Sequence, residues 1–449
     1  MHLVGDGAVE GVPDAGALPD AAVVQDAATG FDPGSAWLRR AGPGATADAV
    51  DLDPQGAVIS AGWLRESLDL GAGPRQGDAA MGYTPWAAKH RPDGTLEWLL
   101  TFTGHRGTID GRGLRVAVGP DGSVIVAGAY HGPLDLGQGP LPSDQGSFDL
   151  FIAKFDPAGT PLWTHGYSGP KYQGPSEVVV APDGAVWIAG VFEQGIRLGA
   201  FELSAVDGDT FVAKLNPDGE VLFAAGFGGP GDDSSYGMAL APEGGVLVVG
   251  GYSTEFNAGA AGKLISHDAM AYDGYLLRLG ADGAPIWARS VDGDAGRKVV
   301  VGAVYDPQGD LIISGLYSGS LDSLGSPSLL APAGLLPFVA KLNPDGTPKW
   351  KLGLGDEGAF ARRPLVVDAD GRVHHWSSSA LTGAVVEHLI APDGTLFPDP
   401  ISSRGAHVAV AAYRLGVVAL AGEAAGQPEF GVPDLTASGG PASCFLVRR

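Results

Sequence analysis

A turn-forming element that recurs every 60 to 66 residues constrains this chain more than any other feature. Asp or a neighbour, Pro, Asp or Gln, and Gly stand together around Pro54, Pro120, Pro182, Pro242 and Pro307; the element weakens at Ala369 and survives at Tyr413 only as a turn ending at Gly416. A second series of the same chemistry alternates with the first, at Pro33, Pro92, Pro157, Pro217, Ala281, Pro344 and Pro392. Proline presets φ and glycine accepts φ > 0, as a tight link between antiparallel strands requires. Each unit therefore reads as four strands, a to d, with residues 114–168 as the type: Leu114 to Val118, Ser123 to Tyr130, Asp149 to Phe155 and Thr160 to Tyr167. The a–b and c–d links are minimal and the b–c link is long. Units of about sixty residues fit the radial stacking of a propeller, whereas solenoid repeats are shorter and need caps.

The two ends of the chain are complementary fragments of one unit. Gly34-Ser35-Ala36-Trp37 matches Gly94 to Trp98, so the chain enters on a d strand with no a, b or c before it. Cys444-Phe445-Leu446-Val447-Arg448 matches Pro337 to Lys341 and stops after c. Joining them in a ring removes two exposed strand edges. The expected fold is thus all-β: a seven-bladed β-propeller over residues 31–449, four antiparallel strands per blade, closed by the N-terminal d strand joining C-terminal strands a, b and c. Residues 1–30 lack the pattern; their Asp, Ala, Pro and Gly bias reads as an unstructured spacer.

Stacking the repeats exposes two columns. Trp37, Trp98, Trp163, Phe223, Trp287, Trp350 and Phe397 fall three or four residues after a turn glycine and read as packing between blades. Lys89, Lys154, Lys214, Arg278, Lys341 and Arg448 recur in strand c and read as structural cations.

Composition excludes several classes. An excess of 51 acidic over 28 basic residues, net charge −23, opposes nucleic acid and anionic membrane surfaces as partners. The single cysteine, Cys444, excludes an intrachain disulfide and a cysteine-based zinc site, and reads as a small buried hydrophobe. No window approaches the roughly 18 apolar residues of a membrane span. Residues 1–10 lack a basic start followed by an apolar run, so no export signal is expected in the chain as it stands.

Asp209-Thr210-Phe211-Val212-Ala213-Lys214-Leu215-Asn216-Pro217-Asp218-Gly219, followed by Gly228-Gly229-Pro230-Gly231-Asp232-Asp233, resembles the bacterial SBBP-type β-propeller repeat. The likeness runs over residues 31–449, is closest in the middle units and departs in the sixth and seventh. It implies a secreted or lipid-anchored envelope protein with a spacer before the propeller. A weaker similarity runs to quinone-dependent dehydrogenase and outer-membrane-assembly propellers, which also put Trp a few residues after a Gly turn.

Catalytic signatures are missing. Two Gly-x-Gly-x-x-Gly matches, Gly226 to Gly231 and Gly353 to Gly358, precede strands rather than a helix N-terminus and read as d–a loops. The ten histidines form no His-Glu-x-x-His helix, and no Gly-x-Ser-x-Gly elbow occurs. Recurring acids in the d–a loops, Asp48, Asp110, Asp232 with Asp233, Asp294, and Asp356 with Glu357, could hold Ca²⁺. The preferred reading makes them caps of nearby N–H groups, with no cofactor. Tyr130, Phe192, Tyr252 and Tyr317 follow the strand-b glycine by two residues and read as the last packed residue of each blade, or as aromatics of a binding rim together with His131. The sixth unit breaks the pattern with Val373-His374-His375-Trp376-Ser377. Adjacent histidines on a strand face opposite ways and cannot share one metal, so degenerate packing is weighed against a ligand notch at His375 and Trp376.

The functional expectation is a monomeric, non-enzymatic binding or scaffold propeller of the cell envelope or exterior, presenting its long-loop face to a protein or glycan. The alternative is an enzyme, a lyase or cofactor-dependent oxidoreductase, working in the central channel.

Overall fold

The computed structural model describes residues 37–448 apart from 78–82, 103–112, 144–145, 267–271, 295, 356–357, 360–364, 380–383, 399–400, 405, 415–416 and 425–442. The proposed spacer lies outside the described residues, as do Asp110, Asp356 and Glu357. The described residues form antiparallel sheets, with a single 3-10 turn at Gly259–Ala261 as their only helix.

Blade 1 runs Ala49–Leu52, Val58–Leu64, Thr84–His90 and Leu96–Thr101; blade 2 runs Arg115–Val118, Val124–Tyr130, Asp149–Phe155 and Pro161–Tyr167. Blade 3 comprises Gln173–Val180, Val186–Leu198, Phe201–Leu215 and Val221–Phe227, and blade 4 Asp233–Leu240, Val246–Ser253, Tyr272–Leu279 and Pro285–Val291. Blade 5 comprises Lys298–Tyr305, Leu311–Leu321, Leu329–Leu342 and Pro348–Gly353. In the closing blade, Ala406–Arg414, Val417–Ala424 and Ser443–Arg448 are completed by Trp37–Pro43, with Trp37 opposite Arg448 and Arg40 opposite Phe445.

The expectation of seven four-stranded blades is corrected: six blades have four strands. Between blade 5 and the closing blade lies a five-stranded sheet whose inner strand is in two pieces, Gly358–Ala359 and Leu365–Val367, both paired with Val373–Ser379; Ala384–Ile390 and Ile401–Arg404 complete it. The inner strands neighbour one another around the ring, from Ala49–Leu52 through Leu365–Val367 and Ala406–Arg414 back to Ala49–Leu52.

A packing unit separates the six from the odd sheet. In each four-stranded blade a strand-b glycine stands opposite a strand-c aromatic: Gly62 and Trp86, Gly128 and Phe151, Gly190 and Phe211, Gly250 and Tyr275, Gly315 and Phe338, Gly422 and Phe445. A β-carbon on Gly128 would fall 2.6 Å from the Phe151 ring, so only glycine leaves room for it. The five-stranded sheet puts Ser377 opposite Val386 at this position, and His375 opposite His388 two residues away. Its core is smaller in the aromatic slot and polar beside it.

Most described members of both sequence columns lie at the junctions between blades. The Trp98 indole Nε1 and the Lys89 Nζ both donate to the carbonyl of Pro157, in the c–d turn of the next blade, at 3.1 and 3.3 Å. Trp163 and Lys154 repeat this on Pro217 O at 3.0 and 3.2 Å. Trp37 reaches Pro92 O and Trp350 reaches Pro392 O, both at 3.1 Å. In blade 3 the aromatic is Phe223, and Lys214 alone donates to Ala281 O at 2.8 Å. Several of these cations are also paired with acids of the a–b turn, Lys89 with Asp53 at 3.2 Å, Arg278 with Glu243 at 2.7 Å and Lys341 with Asp306 at 2.7 Å. Phe397 departs from its column: it is 41% exposed.

Candidate functional site: the hairpin-bearing end

The a–b and c–d turns occupy one end of the ring. They are short because one side chain closes each: Asp156 Oδ1 accepts from the N–H groups of Ala158 and Thr160, and Asn216 Oδ1 from those of Asp218 and Glu220. The opposite end differs from blade to blade. The long b–c links at 253–273 and 318–336 are in part β-hairpins. In blade 4, Glu255–Asn257 pairs with Lys263–Ile265; in blade 5, strands b and c run on until Leu321 stands opposite Leu329. Blade 3 extends likewise to Leu198 opposite Phe201. Alternation of apolar and polar residues, as in Phe201-Glu202-Leu203-Ser204-Ala205, carries strand character past the blade body. The 131–147 segment is pinned by the buried Leu134, Leu136 and Leu141.

Three d–a loops, those before blades 3, 4 and 5, lean on the hairpin of the blade that follows. Gly228 and Asn257 exchange backbone hydrogen bonds at 3.1 and 3.3 Å, Glu193 N–H donates to Tyr172 O at 2.9 Å, and Asp292 N–H donates to Ser323 Oγ at 2.7 Å. Three hairpins thus carry one exposed aliphatic each: Val206 on blade 3, Ile265 on blade 4 and Leu330 on blade 5, at 75, 58 and 70% exposure. Asp207 is exposed next to Val206, and Glu202 is exposed on the same hairpin. Sequence reasoning missed these three; only their place within a long b–c link could have marked them.

The structure takes the singled-out aromatics inside. Tyr130, Phe192, Tyr252, Tyr317 and Trp376 are buried. Tyr130, Phe192 and Tyr317 meet Phe151, Phe211 and Phe338 edge-on at ring distances of 6.1, 6.3 and 6.2 Å, directly above the glycine slot. Tyr130 Oη donates to Pro142 O, and Tyr252 Oη lies 3.0 Å from Ser290 Oγ. His131 is half-buried against Phe148 at 5.7 Å.

Among the acids, Asp294 is exposed and its N–H is held by Ser320 Oγ at 2.8 Å, while Asp232 is half-buried with its N–H on Ser253 Oγ at 2.9 Å. Asp233 is buried, its carboxylate accepting from Gly229 N–H at 2.7 Å and Ser253 N–H at 3.3 Å. Burial, reinforced by Asp207, pushes the Asp209 carboxyl above the usual carboxylate range, and burial does the same to Asp233. Among the described residues no three acidic, histidine or cysteine side chains form a ready metal cage.

The histidines of the five-stranded sheet separate to its two faces. His374 Nδ1 lies 2.8 Å from Glu387 Oε1, and its ring stacks on Trp376 at 6.1 Å. His375 is buried on the other face, 6.2 Å from the His388 ring, whose Nε2 lies 3.2 Å from Ser377 Oγ. Serine and both histidines are shut from solvent, which suits a core and not a nucleophile. Burial, with His388 beside it, pushes His375 down to about 3. A folded pKa below the unfolded value of about 6.5 means the unfolded chain binds the extra proton, so this stability is present at neutral pH and is lost as pH falls from about 6.5 towards 3. His375→Phe should remove up to about 1.4 kcal/mol per pH unit of acid sensitivity in that window. Urea unfolding at pH 7 and pH 5 reads this directly, and parallel pH profiles for variant and wild type would exclude it.

No family model and no curated protein matches the chain. Among solved structures it is similar to the polysaccharide lyase Uly1, at 11% identity and TM-score 0.49 over 97% of this chain and 98% of that one. It is also similar to a catalytically inactive virginiamycin B lyase from Staphylococcus aureus with quinupristin, at 10%, 0.45, and 91% and 98% coverage. The β-propeller domain of the Trilobed protease from Pyrococcus furiosus follows at 9%, 0.44, and 85% and 90%. Likenesses this remote carry nothing about activity.

Proposed function

We propose that this propeller is a non-enzymatic recognition module of the bacterial cell envelope or exterior, engaging a protein partner through its hairpin-bearing end. The observation that carries the reading is the trio Val206, Ile265 and Leu330, one exposed aliphatic on each of three successive hairpins. Isolated exposed apolar residues are ordinary, but their recurrence on the returning arm of three successive hairpins, whose tips lie against Val221, Pro285 and Pro348 of the outer strands, is what a docking surface uses. The acidic surroundings and the net charge of −23 favour a partner whose contact face is basic and partly apolar. A glycan would meet stacked, exposed aromatics, whereas here the recurring aromatics are buried.

The test immobilises the chain and measures capture of cationic amphipathic peptides and of a neutral glycan panel. Val206→Asp, Ile265→Asp and Leu330→Asp combined should weaken peptide capture at least tenfold at unchanged melting temperature, since each removes an apolar anchor of about 1–2 kcal/mol. The control replaces the exposed Leu396 and Phe397 of the five-stranded sheet, away from the three hairpins, with Asp. Loss of capture in the control alone, or capture of glycans only, overturns the reading.

A further inference from the structure

The junctions after blades 2, 3 and 4 place an aspartate of strand c near the first residues of the next inner strand. Asp149 stands opposite Tyr130, Asp209 opposite Phe192 and Asp273 opposite Tyr252, all in the same register. In the next blade, Gln173, Asp233 and Lys298 occupy one register too, opposite Phe192, Tyr252 and Tyr317. All six side chains are buried. At the junction of blades 4 and 5 the Lys298 ammonium answers Asp273, Asp292, Asp294 and Asp322. At the junction of blades 3 and 4 the equivalent position holds Asp233, so Asp207, Asp209, Asp232 and Asp233 gather without an ion-paired lysine or arginine among the described residues.

Two further observations mark this junction. Asp209 is only 8% exposed and its Oδ1 is buried without a hydrogen-bond partner. Gly228, at φ 145°, faces both carboxylates: a β-carbon there would fall 2.4 Å from Asp209 Oδ1 and 2.7 Å from Asp233 Oδ2. The two oxygens are therefore close enough for one ion with metal–oxygen distances of about 2.3–2.6 Å to touch both. We propose that the blade 3–blade 4 junction binds a hard divalent cation, of the Ca²⁺ class, between Asp209 and Asp233, where the next junction carries the Lys298 ammonium. Oxygen donors alone select a hard ion, and the further charges of Asp207 and Asp232 favour a divalent over a monovalent one. Two carboxylates and loop backbone leave the remaining coordination to water.

The test follows thermal unfolding of the full chain at pH 8 in EDTA, then with CaCl₂, MgCl₂ or KCl, and measures Ca²⁺ stoichiometry by calorimetry. Wild type should gain several degrees with Ca²⁺ and less with K⁺, with one site responding to substitution. Asp209→Asn with Asp233→Asn should lose that response while remaining folded. Asp233→Lys, which copies the neighbouring junction, should melt higher than wild type in EDTA and ignore Ca²⁺. Absence of any cation response in wild type, its survival in the double Asn variant, or stabilisation by lowered pH alone overturns the proposal, the last because a shared proton then does the ion's work.

Discussion

Removing residues 1–43 should abolish the cooperative unfolding transition, or lower its midpoint by well over 10 °C, while removing residues 1–28 should shift it by less than about 2 °C. The first cut takes away Trp37–Pro43, the outermost strand of the closing blade, and with it the pairing to Ser443–Arg448. It also removes Trp37, which is buried with Val50, Leu52 and Trp86 of blade 1 and donates to Pro92 O. Burial of a large aromatic is worth about 3–5 kcal/mol against alanine, before any ladder hydrogen bonds are counted. A freed strand Ser443–Arg448 then offers unpaired backbone groups to another chain, so the truncated protein should also aggregate. Heat scans with light scattering on the two truncations decide the matter. Equal midpoints for both would mean that the ring holds without its closing strand.

That closure was legible because it depends on local pattern alone: Trp37 falls at the spacing of Trp98, and Cys444 to Arg448 copies the strand-c spelling of Pro337 to Lys341. The sixth unit was legible only as a break. Its Ser377 and Val386 replace the glycine and aromatic found elsewhere, but that they stand opposite each other is fixed by strand register, which a degenerate turn no longer announces. Tyr130, Phe192, Tyr252 and Tyr317 show the limit from another side. Their spacing places them two residues past the strand-b glycine, yet exposure depends on the hairpins and d–a loops that cover that end. The Asp209–Asp233 meeting was out of reach for the same reason: the residues lie in different blades, and neither Asp-Gly-Asp nor Gly-Asp-Asp says which carboxylate turns inward.

Trp163 offers the sharpest measurement of what joins one blade to the next. Its indole donates to Pro217 O, as does Lys154, and its ring lies over Gly219 of the same turn. Trp163→Ala should cost about 3–5 kcal/mol, because the apolar contact and the hydrogen bond vanish together and leave a cavity. Trp163→Phe keeps most of the contact and should cost about 1 kcal/mol beyond the small loss of area. Lys154→Met retains the stem and removes the second donor. Because both donors share one carbonyl, the Trp163→Phe, Lys154→Met double variant should cost more than the sum of the singles: either donor alone still satisfies Pro217 O, and only the pair leaves it bare. Blade 3 supplies an internal control, since Phe223 already stands in the tryptophan column and Lys214 alone reaches Ala281 O. Lys214→Met should therefore exceed Lys154→Met in cost, by about 1 kcal/mol. Urea midpoints at unchanged m-value give these differences. Equal costs for the two lysine variants, with strict additivity at Pro217, would reduce the latch to apolar packing and leave the lysine column as unrelated surface chemistry.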